Sequence, residues 1–199
     1  AVTLDPSEPH ARLFLSRALR AAGALEEALV ENMAIAEPRP PDADSDRCAM
    51  FLESGDGASA EAACLEALIR DPELASAHTN LGVVRSRRGR VREAEESYRR
   101  ALELDPALVD TRYNLAALYE RQGRHREGLE LLRTLVSPPA PGADAAIFLL
   151  AARLALTAGD LDEARYCLRQ GLAREPASAE TAELEIMIRS AEGKRTGSR

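Results

Sequence analysis

The chain of 199 residues has no tryptophan, only three phenylalanines and four tyrosines, and no long hydrophobic run. The longest apolar run, IFLLAARLALTA at 147–158, contains Arg153 and is too short to cross a bilayer, so we expect no membrane insertion. Alanine, leucine, arginine and glutamate dominate, and β-branched residues are few. This composition favours helix throughout.

Lysine is almost absent: Lys194 is the single lysine among 26 basic residues. A bias towards arginine is typical of a GC-rich genome. The net charge of −7 excludes a general polyanion binder, because phosphate contacts dominate that kind of affinity. The charge is uneven, since residues 1–60 hold 11 acids and 5 arginines whereas residues 75–135 hold 9 acids and 12 arginines.

Cysteine is also scarce, and Cys48, Cys64 and Cys167 form no CxxC pair. An odd, widely spaced set argues against a disulfide framework and fits a reducing compartment, so we expect a cytoplasmic, bacterial protein. We expect Cys48 and Cys64 to be buried as small hydrophobic side chains. The three histidines lack ligand spacing, and no nucleophile–base set or phosphate loop is present. The sequence therefore predicts no metal site, no cofactor and no catalysis.

Three markers recur with a period of about 34 residues, which is the length expected of a helical repeat. Single glycines interrupt the helical pattern at intervals of 32, 34, 34 and 36 residues. A small residue follows each glycine five positions later, and acidic residue–proline pairs recur at near-multiples of the same period. The glycines are Gly23, Gly55, Gly89, Gly123 and Gly159.

The clearest copy is residues 75–108, in which apolar residues at helical spacing fill about 75–88 and 91–104. Gly89 lies between these segments, where a left-handed helix cap needs no Cβ. Gly82 and Ala94 lie where the two helices approach closely. Each unit is therefore a helical hairpin that cannot cover its own apolar face and stacks on its neighbours.

These residues resemble the tetratricopeptide repeat, through Leu81-Gly82, Ala94, Tyr98, Ala101 and Pro106. The same copy departs from the pattern with His78 and Arg85 at two aromatic places. The resemblance implies an all-α fold: a right-handed α-solenoid, or superhelix, of stacked antiparallel helical hairpins.

The repeat period divides the chain into eight parts. Because AVTLDP at 1–6 aligns with ALELDP at 101–106, we expect the chain to begin inside a longer protein. We expect the end of a preceding repeat (1–8), a degenerate repeat (9–40), repeats at 41–74 and 75–108, a repeat with a Pro-rich turn (109–144), a last repeat (145–178), a C-terminal capping helix (179–192) and a disordered tail (193–199). We expect Glu180, Glu183, Glu185 and Arg189 to give the capping helix a polar outer face.

The resemblance implies that the first helices of the hairpins line a groove that binds protein segments. Asn80 and Asn114 fall at the same repeat position, so a short asparagine ladder along a peptide backbone is one interpretation. Two solvated asparagines are the other interpretation. The full set of predicted groove residues is Asn80, Asn114, Thr79, Tyr113, Arg87, Arg121, Arg17 and Arg153.

Further arginines fall at matching positions around two hairpin turns and predict a basic rim beside Arg87 and Arg121. Such a rim favours an acidic partner, although a solvated turn relieved by nearby glutamates is an alternative. Nucleic acid is disfavoured because no aromatic residues lie nearby to stack on bases. The rim residues are Arg88, Arg90, Arg92, Arg124 and Arg126.

The resemblance thus implies a non-catalytic protein-interaction scaffold for an extended, possibly acidic, peptide. Two alternatives stay open: a substrate-recruiting domain of a larger enzyme whose catalytic part lies upstream, and a self-assembling scaffold.

Overall fold

The computed structural model describes residues 8–40, 42–175 and 179–196, and these residues form eleven α-helices and no strand. The predicted end of a preceding repeat at 1–8 lies outside this part, except for residue 8, and so do residues 197–199 of the predicted tail. The helices are α1 (Pro9–Ala21), α2 (Leu25–Met33), α3 (Ala43–Ser54), α4 (Gly57–Arg70), α5 (Ala75–Arg87), α6 (Val91–Leu104), α7 (Val109–Arg121), α8 (His125–Val136), α9 (Ala145–Ala158), α10 (Leu161–Arg174) and α11 (Ala179–Thr196).

The helices fall into two compact units, which divide between residues 107 and 108. The first unit holds α1–α6, and the second holds α7–α11. Within each unit, consecutive helices pair as hairpins, and each hairpin also contacts the next one. The predicted all-α fold of stacked antiparallel hairpins is confirmed.

The hairpin turns are made where the glycine spacing predicted them. The five turn glycines have φ angles between 73° and 87°, a left-handed conformation that favours glycine over residues with a Cβ. After two of these turns an aspartate caps the second helix, because Asp56 accepts from the backbone of Ser59 at 3.0 Å and Asp160 from that of Glu163 at 3.1 Å. Gly89 and its equivalents therefore end one helix and allow the chain to reverse.

Two repeat positions, sixteen residues apart, place one buried residue on each helix of every hairpin. In α5 and α6 this pair is Gly82 and Tyr98, and a Cβ on Gly82 would lie only 2.5 Å from the Tyr98 ring. This close approach confirms the prediction that position 82 must be small. The other hairpins have different types of buried residue at the same two positions. The equivalent pairs are Ser16 and Asn32, Cys48 and Cys64, Ala116 and Leu132, and Ala152 and Leu168.

In the second hairpin this pair is a disulfide between Cys48 and Cys64, with Cα atoms 5.2 Å apart. The expectation of free, reduced cysteines is wrong here. Both residues are fully buried, as predicted, but the close approach of α3 and α4 brings two sulfur atoms together. Sequence spacing alone conceals the pairing, because the two cysteines face each other only once the hairpin has formed.

A buried carboxylate fixes the segment between the first two hairpins. Asp44 is 1% exposed, and three guanidinium groups surround it: Arg47 at 3.0 Å, Arg70 at 3.0 Å and Arg39 at 3.3 Å. Burial lowers the pKa of Arg39, which also donates to the backbone carbonyl of Asn32 at 3.1 Å. A buried charge needs such partners, since an unpaired one is strongly destabilising.

The second unit has a core centred on α9, where Phe148, Leu150 and Leu154 are almost fully buried. Helix α11 covers this core with Leu184 and Ile188. It continues to Thr196, past the predicted end at 192. The four predicted polar residues of α11 are exposed or half-exposed. However, Ile186 and Met187 are exposed beside them, so the outer surface of α11 is not purely polar.

Candidate functional site

The predicted groove residues belong to the first helices of the hairpins. We call the surface of these helices the first-helix face of a unit: α1, α3 and α5 in the first unit, and α7, α9 and α11 in the second. Each face is described within its own unit.

On the first unit's face, Arg17 is engaged by acids of the next repeat. Its guanidinium donates to Asp46 at 2.5 Å and also pairs with Asp42. Burial lowers the pKa of Arg17, but the two carboxylates outweigh this effect and the pKa lies above its ordinary value. Arg20 pairs in the same way with Glu53 at 2.9 Å. These arginines hold adjacent repeats together.

Asn80 is likewise used inside the unit. Its amide nitrogen donates to the carbonyl oxygen of Ser45 at 3.1 Å, which joins α5 to α3. The hydroxyl of Thr79 donates to the carbonyl of Ala75, one turn back in its own helix. Arg87 is exposed, donates to the carbonyl of Leu52 at 2.7 Å and contacts no carboxylate of the described chain.

On the second unit's face, Arg153 lies between two acids. It donates to Glu120 at 2.8 Å, which raises its pKa above the ordinary value, and it also pairs with Glu180. This arginine therefore links α7, α9 and α11 in the way that Arg17 links α1 and α3.

Tyr113 and Asn114 lie on the same face and are half-buried. Tyr113 packs against the core of the second unit. The amide of Asn114 makes no hydrogen bond to any residue that the structure describes, in contrast to that of Asn80. The two members of the predicted ladder are thus in different states: the Asn80 amide is already bonded, whereas that of Asn114 is available.

The rim arginines are divided between the units, and most of them are neutralised. Arg88 and Arg90 both pair with Glu61 in the first unit. In the second unit Arg124 pairs with Glu127 at 2.6 Å and its guanidinium lies 3.8 Å from the ring centre of Tyr119. Arg92 and Arg126 are exposed and form no ion pair within the described residues. Arg121 is exposed at the end of α7.

Sequence reasoning missed the acids that neutralise Arg17 and Arg153, although a signal was present. Asp42 and Glu180 occupy the second position of their repeats, and each pairs with the arginine at the ninth position of the preceding repeat. An arginine followed about 26 residues later by an acid therefore indicates a pair between adjacent repeats.

Among the described residues no group of histidines, cysteines and acids could hold a metal ion. Cys167 is a free thiol, and burial together with nearby Glu163 and Asp160 raises its pKa to about 12. No described helix has both the length and the apolar character needed to cross a membrane.

The stacked hairpins define the class: this is a helical-repeat protein. Two family models match the chain, one described as "TPR repeat" at residues 85–123 and one as "Tetratricopeptide repeat" at residues 145–170. Neither model describes a catalytic domain. The chain therefore contains tetratricopeptide repeats at these two places, as the sequence resemblance indicated.

Among curated proteins no match was found. Solved structures match closely in fold. PilF from Pseudomonas aeruginosa has a TM-score of 0.78 and 22% identity, covering 92% of this chain and 83% of its own. PilW, a widely conserved type IV pilus biogenesis factor, has a TM-score of 0.77 and 22% identity, covering 93% and 86%. YrrB, a TPR protein with an unusual peptide-binding site, has a TM-score of 0.65 and 17% identity, covering 91% and 93%. At these identities the likeness shows the fold alone.

Proposed function

We propose that this protein is a non-catalytic scaffold that binds an extended segment of a partner protein along the first-helix face of its second unit. The observation that carries the proposal is the free amide of Asn114. An asparagine amide both donates and accepts, so it matches the hydrogen-bonding groups of an extended peptide backbone. The peptide-binding site reported for YrrB, a protein of the same fold, is consistent with this role.

The surroundings of Asn114 suit a peptide backbone better than a charged side chain. Tyr113, the preceding residue of α7, has a half-buried ring, and such rings contribute contact area at interfaces. Arg153, on α9 of the same face, is neutralised by Glu120 and Glu180, so this arginine offers little unbalanced positive charge to a partner. Main-chain hydrogen bonding would therefore supply most of the specificity.

The test uses a library of random peptides displayed on phage, selected against the immobilised protein. Selected peptides are synthesised, and their affinity is measured by calorimetry. Asn114→Ala removes one bidentate contact and should weaken binding by about tenfold, the equivalent of about 1.4 kcal/mol. Asn80→Ala is the matched control: it should lower the unfolding midpoint, through loss of the bond to Ser45, and leave affinity unchanged.

Two results would count against the proposal. One is a selection that yields no binder, and the other is an equal affinity of the selected peptides for the wild type and Asn114→Ala.

The preference for acidic partners rests on a separate observation in the first unit, the absence of a carboxylate beside Arg87. Charge reversal at Arg87 should weaken binding of any carboxylate-rich partner. Reversal at Arg100, which pairs with Glu103 at 3.2 Å, is the control and should have no effect. Equal affinities for both variants would remove the acidic preference and leave the backbone-binding role intact.

A further inference from the structure

Large apolar side chains are exposed on the second helices of the first two hairpins. On α2, Val30 is 65% and Met33 60% exposed. On α4, Leu65 is 43% and Ile69 82% exposed. Within each helix the two residues are three or four positions apart, so they lie on one side of it. We call these four residues the outer strip; none of them belongs to the first-helix face.

The other repeats show that stacking does not require apolar residues at these places. The α6 residues equivalent to Val30 and Met33 are Glu96 and Arg99, and both are exposed. In α8 they are Glu130 and Arg133. Because both positions face outwards with charged side chains in α6, the fold does not require apolar residues there.

The fold does not require an apolar residue at the position of Ile69 either, since its equivalent in α6 is the exposed Glu103. Single exposed apolar residues are ordinary on protein surfaces, but four of them on the second helices of adjacent hairpins, with Met33 and Leu65 at the same repeat position, mark an interaction site. Burying a side chain of this kind contributes roughly 1.5–3 kcal/mol, so even partial burial of the strip would support binding.

The charged side chains beside the outer strip that form no ion pair are acidic. Glu26 and Glu27 are exposed in the first turn of α2, and neither forms an ion pair with any described residue. By contrast, Glu31 of the same helix pairs with Arg12 at 2.7 Å, and Glu37 pairs with Arg70 at 2.6 Å. Two carboxylates therefore remain for cations supplied from outside the unit.

We propose that the outer strip binds a basic amphipathic helix of a partner protein. Apolar residues at i, i+3, i+4 and i+7 of that helix would lie on Val30, Met33, Leu65 and Ile69. Lysine or arginine side chains on its flank would reach Glu26 and Glu27. A second copy of this chain fits less well, because it would bring two more carboxylates to the same interface.

The probe is a synthetic helix of leucine and lysine, about 18 residues or five turns long, with leucine on one face. A matched peptide with glutamate in place of lysine is its control. In calorimetry the lysine peptide should bind at least about tenfold more tightly than the glutamate peptide, and added salt should weaken it.

The variant copies the residues of α6 onto α4: Leu65→Arg with Ile69→Glu. These surface changes should alter stability by no more than about 0.5 kcal/mol, so a thermal melt checks the fold. Affinity for the lysine peptide should fall by about tenfold. Two controls should keep wild-type affinity: Glu96→Ala with Arg99→Ala on α6, and Asn114→Ala on the first-helix face.

Unchanged binding of the lysine peptide to the strip variant overturns this proposal. So does sedimentation that shows a wild-type dimer and a monomeric strip variant, because the occupant would then be a second copy. Both outcomes leave the first-helix face untouched, so failure here is separate from failure of the proposed function.

Discussion

Replacing Gly82 by alanine tests the packing that joins the helices of a hairpin. A Cβ at this position would lie 2.5 and 2.6 Å from two carbons of the Tyr98 ring and 3.0 Å from a third. The ring is 2% exposed and the surrounding residues are buried, so it has little room to move. The added methyl group should therefore separate α5 from α6.

Two effects of opposite sign set the magnitude. Overpacking a close contact costs typically about 1–3 kcal/mol. Alanine in a helix interior is better than glycine by about 1 kcal/mol. The net expectation for Gly82→Ala is a loss of up to about 2 kcal/mol in the free energy of unfolding, whereas helix propensity alone predicts a gain.

The other hairpins provide a compensating change. Their equivalent positions hold Ala116 with Leu132 and Ala152 with Leu168, so alanine is compatible with leucine on the facing helix. Tyr98→Leu alone should cost about 2 kcal/mol, because it leaves a cavity beside Gly82. The double variant should then be more stable than the sum of the single effects predicts, by at least about 1 kcal/mol.

The assay is urea unfolding followed by far-ultraviolet circular dichroism for the wild type, both single variants and the double variant. The reasoning is refuted if Gly82→Ala is as stable as the wild type or more stable. It is also refuted if the two single effects simply add, because the contact would then not be the cause.

Two further predictions concern buried groups. Asp44→Ala should destabilise the protein by about 3–5 kcal/mol in urea unfolding, because it leaves the Arg39 guanidinium buried without a carboxylate. Glu66 forms an exposed pair with Arg47, and a loss no larger than that of Glu66→Ala would contradict this prediction. At pH 8 a thiol with the ordinary pKa of 9.0 is about 10% thiolate, whereas Cys167 with a pKa of about 12 is about 0.01% thiolate, so iodoacetamide should not label the native protein. Unfolding without reductant should give one label by mass spectrometry and unfolding with reductant three, while three labels without reductant would exclude the Cys48–Cys64 disulfide.

Much of the fold could be predicted because its signals are local. Gly89 and its equivalents recur with one period, and each adopts the left-handed conformation that ends a helix. The need for a small residue at Gly82 could also be inferred, because hairpin helices come closest at a fixed repeat position. The end of the last helix was harder to predict, because α11 continues to Thr196 past its expected end at 192.

The positions of the candidate site residues could be predicted, but whether each side chain is available or already bonded could not. Arg17, Arg153 and Asn80 lie on the first helices, as their repeat positions required. Whether such a side chain is available depends on neighbours more than twenty residues away. Asp46 engages Arg17, Glu120 engages Arg153, and Ser45 engages Asn80. Only Asn114 of the two predicted asparagines kept a free amide.

The sequence by itself therefore determined the repeat, the hairpins and the places where surfaces form. The reason is that each recurring glycine and proline shapes the backbone within a few residues of its own position. The tertiary structure decided which charges cancel, that Cys48 meets Cys64, and that apolar residues at outward positions of α2 and α4 stay uncovered. These outcomes depend on contacts between helices, and such distances are set only when one hairpin packs on the next.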